Sequence, residues 1–317
     1  MAVSLGVSNI VLKTVCLILV LISLVGNTLV ILTVLLNKAM QTTLNYLLVN
    51  LAVADMMFAL STGLKKGLFP YLTHPEGNAG RWSCAWVTHG DLAWFGAAAS
   101  ILFLVYIAVE RYFAIIHQLR HRGRFTRGRL KLVIGIPWFV SIVINTAEFW
   151  EIRYYYFDSG LCKRYGNKST TEEKFIKAYS LIWMLLAGAI PPCIMTAFLR
   201  HRKQVTVTLL MVGAIYAFCW IPSQISFVTE NWGLPVPWFN VAGHVLVVLN
   251  SCVNPVVYSF RLKSFRQHLR NIMQCKKRRQ IRALPGLTMP GTANVVHKTS
   301  AAEQTIVELA HLNHTSM

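Results

Sequence analysis

The chain has 317 residues and a net charge of +19, yet only 14% of its residues are charged against 55% apolar. Mean hydropathy is +0.48, whereas a soluble domain is about a quarter charged, so a soluble globule is excluded. No nucleophile–base pair and no metal-ligand cluster stands out, so no enzyme is expected.

Long apolar runs account for the missing charge, each close to the ~20 residues that cross a bilayer core as a helix. Seven are predicted, at 10–36, 44–68, 83–116, 130–150, 175–199, 205–228 and 238–260. Helices are the expected form because hydrocarbon offers an open backbone no hydrogen-bond partner. A short segment, 1–9, precedes the first run. That run exceeds a signal-peptide core and lacks a basic leader and a clear cleavage site, so it reads as the first span. It carries Asn27 in "LVGNTLV", and the second run carries Asp55 in "NLAVADMMFAL".

The third run holds Cys84 and Asp91 near its start, Ser100 in its middle, and Glu110, Arg111 and Tyr112 near its end. The fourth holds Trp138 in its middle, and the fifth contains Pro191 and Pro192. The sixth contains "FCWIPS" with Trp220 and Pro222, and the seventh "VLNSCVNPVVYSF" with Asn250, Ser251, Asn254, Pro255 and Tyr258. After it, 263–275 is predicted to be a basic amphipathic helix and 276–317 a disordered tail. The transmembrane domain is 10–262, and no soluble domain remains.

Charge fixes the expected orientation. Assigning loops alternately places about two-thirds of the basic residues on one side, including the six from Arg120 to Lys131 and the nine from Arg261 to Arg282. Basic loops stay cytoplasmic, which puts the N-terminus outside and the chain in the plasma membrane as a multi-pass protein. The basic surplus then faces anionic inner-leaflet lipid, and no nucleic-acid partner is expected. Cys84 and Cys162 are the only cysteines in outer loops or at their edges, so an extracellular disulfide between them is expected. Cys16, Cys193, Cys219 and Cys252 read as small apolar packers. "NKS" at Asn167 would carry a glycan outside, whereas "NHT" at Asn313 falls inside. Cys275 beside the basic amphipathic stretch suits palmitoylation; an untouched thiol is the alternative.

An ionisable group inside a span is expensive and marks a functional candidate. Asp55 with Ser100, Asn250, Ser251, Asn254 and Asn27 supplies one carboxylate and several neutral oxygens. That set suits a hard cation such as sodium; a hydrated polar network joining the helices is the other reading. Pro222 and Pro255, like Pro191 and Pro192, each remove a backbone donor inside a helix. Such breaks are hinges in a two-state protein or static kinks.

The ordered set "GN", "LAVAD", a cysteine before the third span, "ERY", Trp138, "CWIP" and "NPVVY" resembles the rhodopsin-like (class A) G-protein-coupled receptors, from Asn27 to Cys275. The resemblance implies an all-α seven-transmembrane bundle with an amphipathic eighth helix. It implies that Glu110–Arg111–Tyr112 lies at the cytoplasmic end of the third helix and that Arg111 meets a G protein when the sixth helix swings outward. Trp220 would lie under the ligand pocket, Tyr258 would turn inward on activation, and Asp55, Ser100, Asn250, Ser251 and Asn254 would form a sodium site. Cys84–Cys162 would pin the second outer loop, and arrestin would be a further partner. No lysine lies in the middle of the seventh span, so no retinal is expected, nor any other covalent cofactor.

Some features depart from that pattern. Cys84 precedes Arg111 by 27 residues, about two more than the family spacing, which is over half a helical turn. Counted from Cys84, Asp91 falls where amine receptors hold their counter-ion; counted from Arg111, Ala93 does. Only "RHRKQ", 200–204, separates the fifth and sixth runs, and no tyrosine stands near Leu199. Arg202 takes the place of an acidic residue that clamps the arginine in some relatives. Weaker or altered coupling with raised basal signalling is expected. Asp91, Trp94, Gln224, Phe227, Glu230 and His244 are the expected ligand-pocket residues, a mix of charge and rings that suits a small peptide better than an amine or a lipid. The sequence thus predicts a receptor that passes binding of an extracellular ligand to heterotrimeric G proteins. A non-signalling decoy of the same fold is the alternative. A transporter would need paired repeats or a continuous polar path, and neither is present.

Overall fold

The computed structural model describes residues 2–67, 77–84, 91–116, 127–145, 155–158, 161–164, 170–199, 203–234, 236–261 and 263–274. The chain divides into two units, Met1–Gln274 and Cys275–Met317, and the second lies outside the described residues together with Asn167 and Cys275.

Helix α1 runs Ala2–Leu35, so the segment before the first apolar run continues its helix. Helix α2 spans Thr43–Gly67, and a short helix α3 spans Gly77–Ser83. Helix α4 begins at Asp91 and reaches Ile116, so the third apolar run is not one helix: Ser83 belongs to α3. Helix α5, Arg127–Ile144, carries Pro137 internally. Two short strands, β1 (Tyr155–Asp158) and β2 (Leu161–Arg164), pair antiparallel with Phe157 opposite Cys162. This hairpin modifies the all-α expectation outside the helices.

The fifth span is composite. Helix α6, Thr170–Trp183, leads into a π-helical turn, Met184–Ala189, and then α7, Ile190–Leu199. Helix α8 covers Lys203–Asn231 and α9 Pro237–Arg261, with Pro222 and Pro255 inside them. Helix α10, Lys263–Met273, is the predicted amphipathic element. Its Phe265 is 1% exposed, and it packs against α1 and α9. Among the described residues, five helical stretches are long and apolar enough to span a membrane: Ile10–Leu35, Thr43–Lys65, Leu92–Glu110, Glu173–Ile194 and Pro237–Val257.

The helices close on one another: α1 packs on α2 and α9, α2 on α4, α4 on α7, and α8 on both α7 and α9. Helix α5 flanks α4 and α2. Small residues allow the closest approach. A Cβ added at Gly96 would sit 2.7 Å from the Ala54 carbonyl, so α2 and α4 meet backbone to backbone. Where lipid is as apolar as the core, such close packing and interhelical hydrogen bonds drive association. Large side chains such as Phe103, Val248 and Trp220 fill the interior. Leu21, Val25, Leu132, Phe139 and Phe218 point outward, as a lipid-facing surface requires.

Candidate functional site

Three clusters gather the residues singled out by sequence. The first is a polar centre between α1, α2, α4 and α9. Asp55 is buried and accepts from Ser100 Oγ at 2.7 Å and from Asn254 Nδ2 at 2.8 Å, one bond to each carboxylate oxygen. Pro255 removes the amide that would meet the Ser251 carbonyl four residues back. Asn27 Nδ2 takes its place, donating to Ser251 O at 3.0 Å and to Ser23 O at 2.9 Å. Ser23 Oγ also reaches Ser251 O at 3.4 Å, and Ser251 Oγ donates to Val248 O at 2.7 Å. Asn250 is buried on the same helix. The set offers one carboxylate and neutral oxygens, which fits a hard monovalent ion, although Asn254 presents its NH2 to Asp55. Beside it, Trp138 Nε1 donates to Asn50 Oδ1 at 3.1 Å and its ring meets Phe103 edge-on, joining α5 to α2 and α4.

The second cluster is a cavity of about 30 Å3, lined by Phe58, Thr62, Lys65, Ala93, Trp94, Ser223, His244 and Val247. It has room for about two waters, so a larger ligand group must displace wall side chains. Trp94 and His244 from the expected pocket meet here. His244 Nδ1 lies 2.7 Å from Asn240 O. Asn240 in turn donates to Glu230 at 3.3 Å, so exposed Glu230 links the C-terminal end of α8 to the N-terminal end of α9. Phe227 packs edge-on against Tyr179. The Asp91 side chain lies outside the described residues. Sequence reading missed the α2 wall, although the signal was present: 55, 58, 62 and 65 recur at helical spacing on the face that carries Asp55. Ser223 adjoins Pro222 and is itself clasped, since a Cβ on Gly243 would lie 2.7 Å from its Cα.

The third cluster is the seam between the fifth span and α8. Gln224 leans against Gly188, whose added Cβ would sit 3.2 Å from Gln224 Cγ. Gln224 and Trp220 are each 2% exposed, and among the described residues Gln224 Oε1 and Trp220 Nε1 have no hydrogen-bond partner. One turn below, Tyr216 stacks on Trp220 with centroids 5.8 Å apart, and its hydroxyl donates to the Ala187 carbonyl.

At the other end of α4, Glu110 is half-buried, and Arg111 and Tyr112 continue the helix, with side chains outside the described residues. Tyr258 continues α9 in the same way. Cys84, buried after α3, is disulfide-bonded; the Cys162 side chain lies outside the described residues. Helix α3 packs against β1, and register places Cys162 on the partner strand.

The family model "7 transmembrane receptor (rhodopsin family)" matches residues 26–200. The chain belongs to the rhodopsin family of seven-transmembrane receptors. The receptor is therefore a multi-pass membrane protein with a seven-helix bundle, and not an enzyme. The match ends where α7 gives way to the short joint before α8. The receptor is 29% identical over 290 residues to the allatostatin-A receptor of Bombyx mori, covering 80% of this chain and 77% of that one. It is 25% identical over 303 residues to the QRFP-like peptide receptor of Branchiostoma floridae, covering 82% and 76%. It is 26% identical over 281 residues to adenosine receptor A3 of Ovis aries, covering 78% and 84%.

Proposed function

We propose that this chain is a cell-surface G-protein-coupled receptor that reports an extracellular ligand, a small peptide in preference to a small molecule or amine, to heterotrimeric G proteins. The carrying observation is that the outer cavity includes Ser223, next to Pro222, among its walls. A group seated there would press on α8 at its proline, where a helix bends most easily. Lys65, Trp94, Phe58 and His244 give that cavity a mixed basic and aromatic lining, suited to one side chain or terminus of a peptide. One relative's name specifies a peptide and another adenosine, so a small molecule is the second reading of the ligand.

In this reading the N-terminus is outside, on the strength of the basic inner loops. The Cys84 disulfide runs to Cys162 and holds the Tyr155–Arg164 hairpin by the pocket, and Asn167 carries a glycan. Sodium binds at Asp55 with Ser100, Asn250, Ser251 and Asn254 and biases the resting state. Arg111, with Glu110 and Tyr112, engages the G protein once α8 moves, and Trp220, Asn254 and Tyr258 reposition with it. Arrestin and inner-leaflet lipid are further inner-face partners, and Cys275 carries a palmitoyl chain.

A decoy that binds without signalling is favoured by the short joint at 200–202, which removes surface from the coupling region. A ligand-library screen in cells with a promiscuous G-protein reporter tests both. Agonist-dependent nucleotide exchange supports the receptor; saturable binding without exchange establishes the decoy.

A further inference from the structure

The paired prolines of the fifth span leave one backbone group in an unusual position. In an α-helix the carbonyl of residue i meets the amide of i+4, and in a π-turn that of i+5. The turn at Met184–Ala189 follows the π register, since the Ile190 amide bonds the Leu185 carbonyl. Ala187 is the one carbonyl here for which both candidates, Pro191 and Pro192, have no N–H. Its own helix cannot satisfy it in either register. In a bilayer core no water is at hand, so the donor must come from a neighbouring helix. The Tyr216 hydroxyl, from α8, is that donor.

We infer that Tyr216 is a positioning residue of the signalling switch: its hydroxyl stands in for the missing amide and latches α8 to the fifth span. Tyr216 lies six residues before Pro222, on the inner side of the expected hinge, and its ring stacks beneath Trp220. An outward swing of the inner half of α8 breaks the bond and exposes the Ala187 carbonyl, which no backbone donor can reclaim. The latch therefore favours the closed arrangement by the worth of one interhelical hydrogen bond. The signalling consequence rests on the receptor reading above; the bond and its cause do not.

A double-mutant cycle isolates the hydroxyl. Tyr216→Phe keeps the ring and its stack on Trp220 and removes only the donor. In the full chain, purified in detergent, the melting temperature should fall by about 2–4 °C. Pro191→Ala returns an N–H at i+4, and in that background Tyr216→Phe should cost less than about 1 °C, because the carbonyl then has a partner. Pro192→Ala, which returns the i+5 donor, serves as a second background. Equal losses with and without the prolines, or no loss from Tyr216→Phe alone, would overturn the latch.

Two further readouts separate a switch from a mere brace. Without any ligand, Tyr216→Phe should speed hydrogen–deuterium exchange in the inner half of α8, and basal nucleotide exchange on a co-expressed G protein should rise about threefold. A lower melting temperature with unchanged exchange in α8 assigns Tyr216 a structural role only and overturns the switch. Faster exchange in α8 from a chain that activates no G protein leaves the latch standing and refutes the receptor reading instead.

Discussion

Prolines 191 and 255 each strip a carbonyl of its amide four residues back, and the chain answers them differently. At Ser251 the freed oxygen faces both Asn27 Nδ2 and Ser23 Oγ, and the neighbouring Asp55 uses both carboxylate oxygens. At Ala187 a single hydroxyl answers, and one and two turns further along α8 from Tyr216, Trp220 Nε1 and Gln224 Oε1 go without partners among the described residues. Buried polar groups that are fully paired specify one arrangement, whereas partly paired ones leave a free-energy cost that movement or a ligand can remove. The side of the bundle built from α1, α2, α4 and α9 is therefore the frame, and the seam beside α8 the part able to change.

The contrast breaks most visibly at Asp55. Asp55→Leu strands the Ser100 hydroxyl and the Asn254 amide, at a cost of about 2–5 kcal/mol; a thermal melt in detergent that shifts by under a degree would refute the frame. Asp55→Asn retains a carbonyl acceptor but not the charge, so under the sodium reading proposed above the unaltered chain should melt higher in sodium than in choline and the variant should not. Asn27→Leu removes one of two donors to Ser251 O and should cost about 1–3 kcal/mol. That loss should exceed the effect of removing the Tyr216 hydroxyl, and the reverse order would invert the comparison. Gln224→Met discards an unpaired acceptor at nearly constant volume, so stability should hold or rise by up to about 1 kcal/mol. A clear loss there would mean that the seam is paired after all. At the smallest end, Lys177 and Glu173 form an exposed i,i+4 pair at 2.6 Å, and Lys177→Ala should cost no more than about 0.5 kcal/mol.

Much of the frame could be read from sequence, because length and apolarity alone report a span, and a carboxylate in hydrocarbon draws attention to Asp55, Ser100 and Asn254. The seam could not. Tyr216 in "AIYAFCWIP" looks like one more core aromatic, and only the registers of Pro191 and Pro192 show that its hydroxyl has work to do. The π-turn was equally hidden, since a one-residue change in hydrogen-bond register leaves no mark on composition. Lys65 and Thr62 lie on the same helical stripe as Asp55, but near the end of α2 a lysine and a threonine look like ordinary boundary residues. The hairpin at Tyr155–Arg164 had its signals, a β-prone "YYYF" followed by "DSG", but a four-residue strand between two spans differs little in composition from an ordinary loop.

The joint between α7 and α8 carries a mechanical consequence. From Leu199 to Lys203 the chain takes four Cα steps, which reach about 14 Å at full stretch. Packed helix axes already stand about 8–10 Å apart, so the slack between the joined ends is only about 5 Å. A longer stroke has to unwind the last turn of α7 or the first of α8, giving each added ångström of travel an elastic cost. The amplitude of movement is thus limited by a tether whose length is counted in residues. Glycines inserted between Leu199 and Lys203 would lengthen that stroke without changing a residue of α7 or α8.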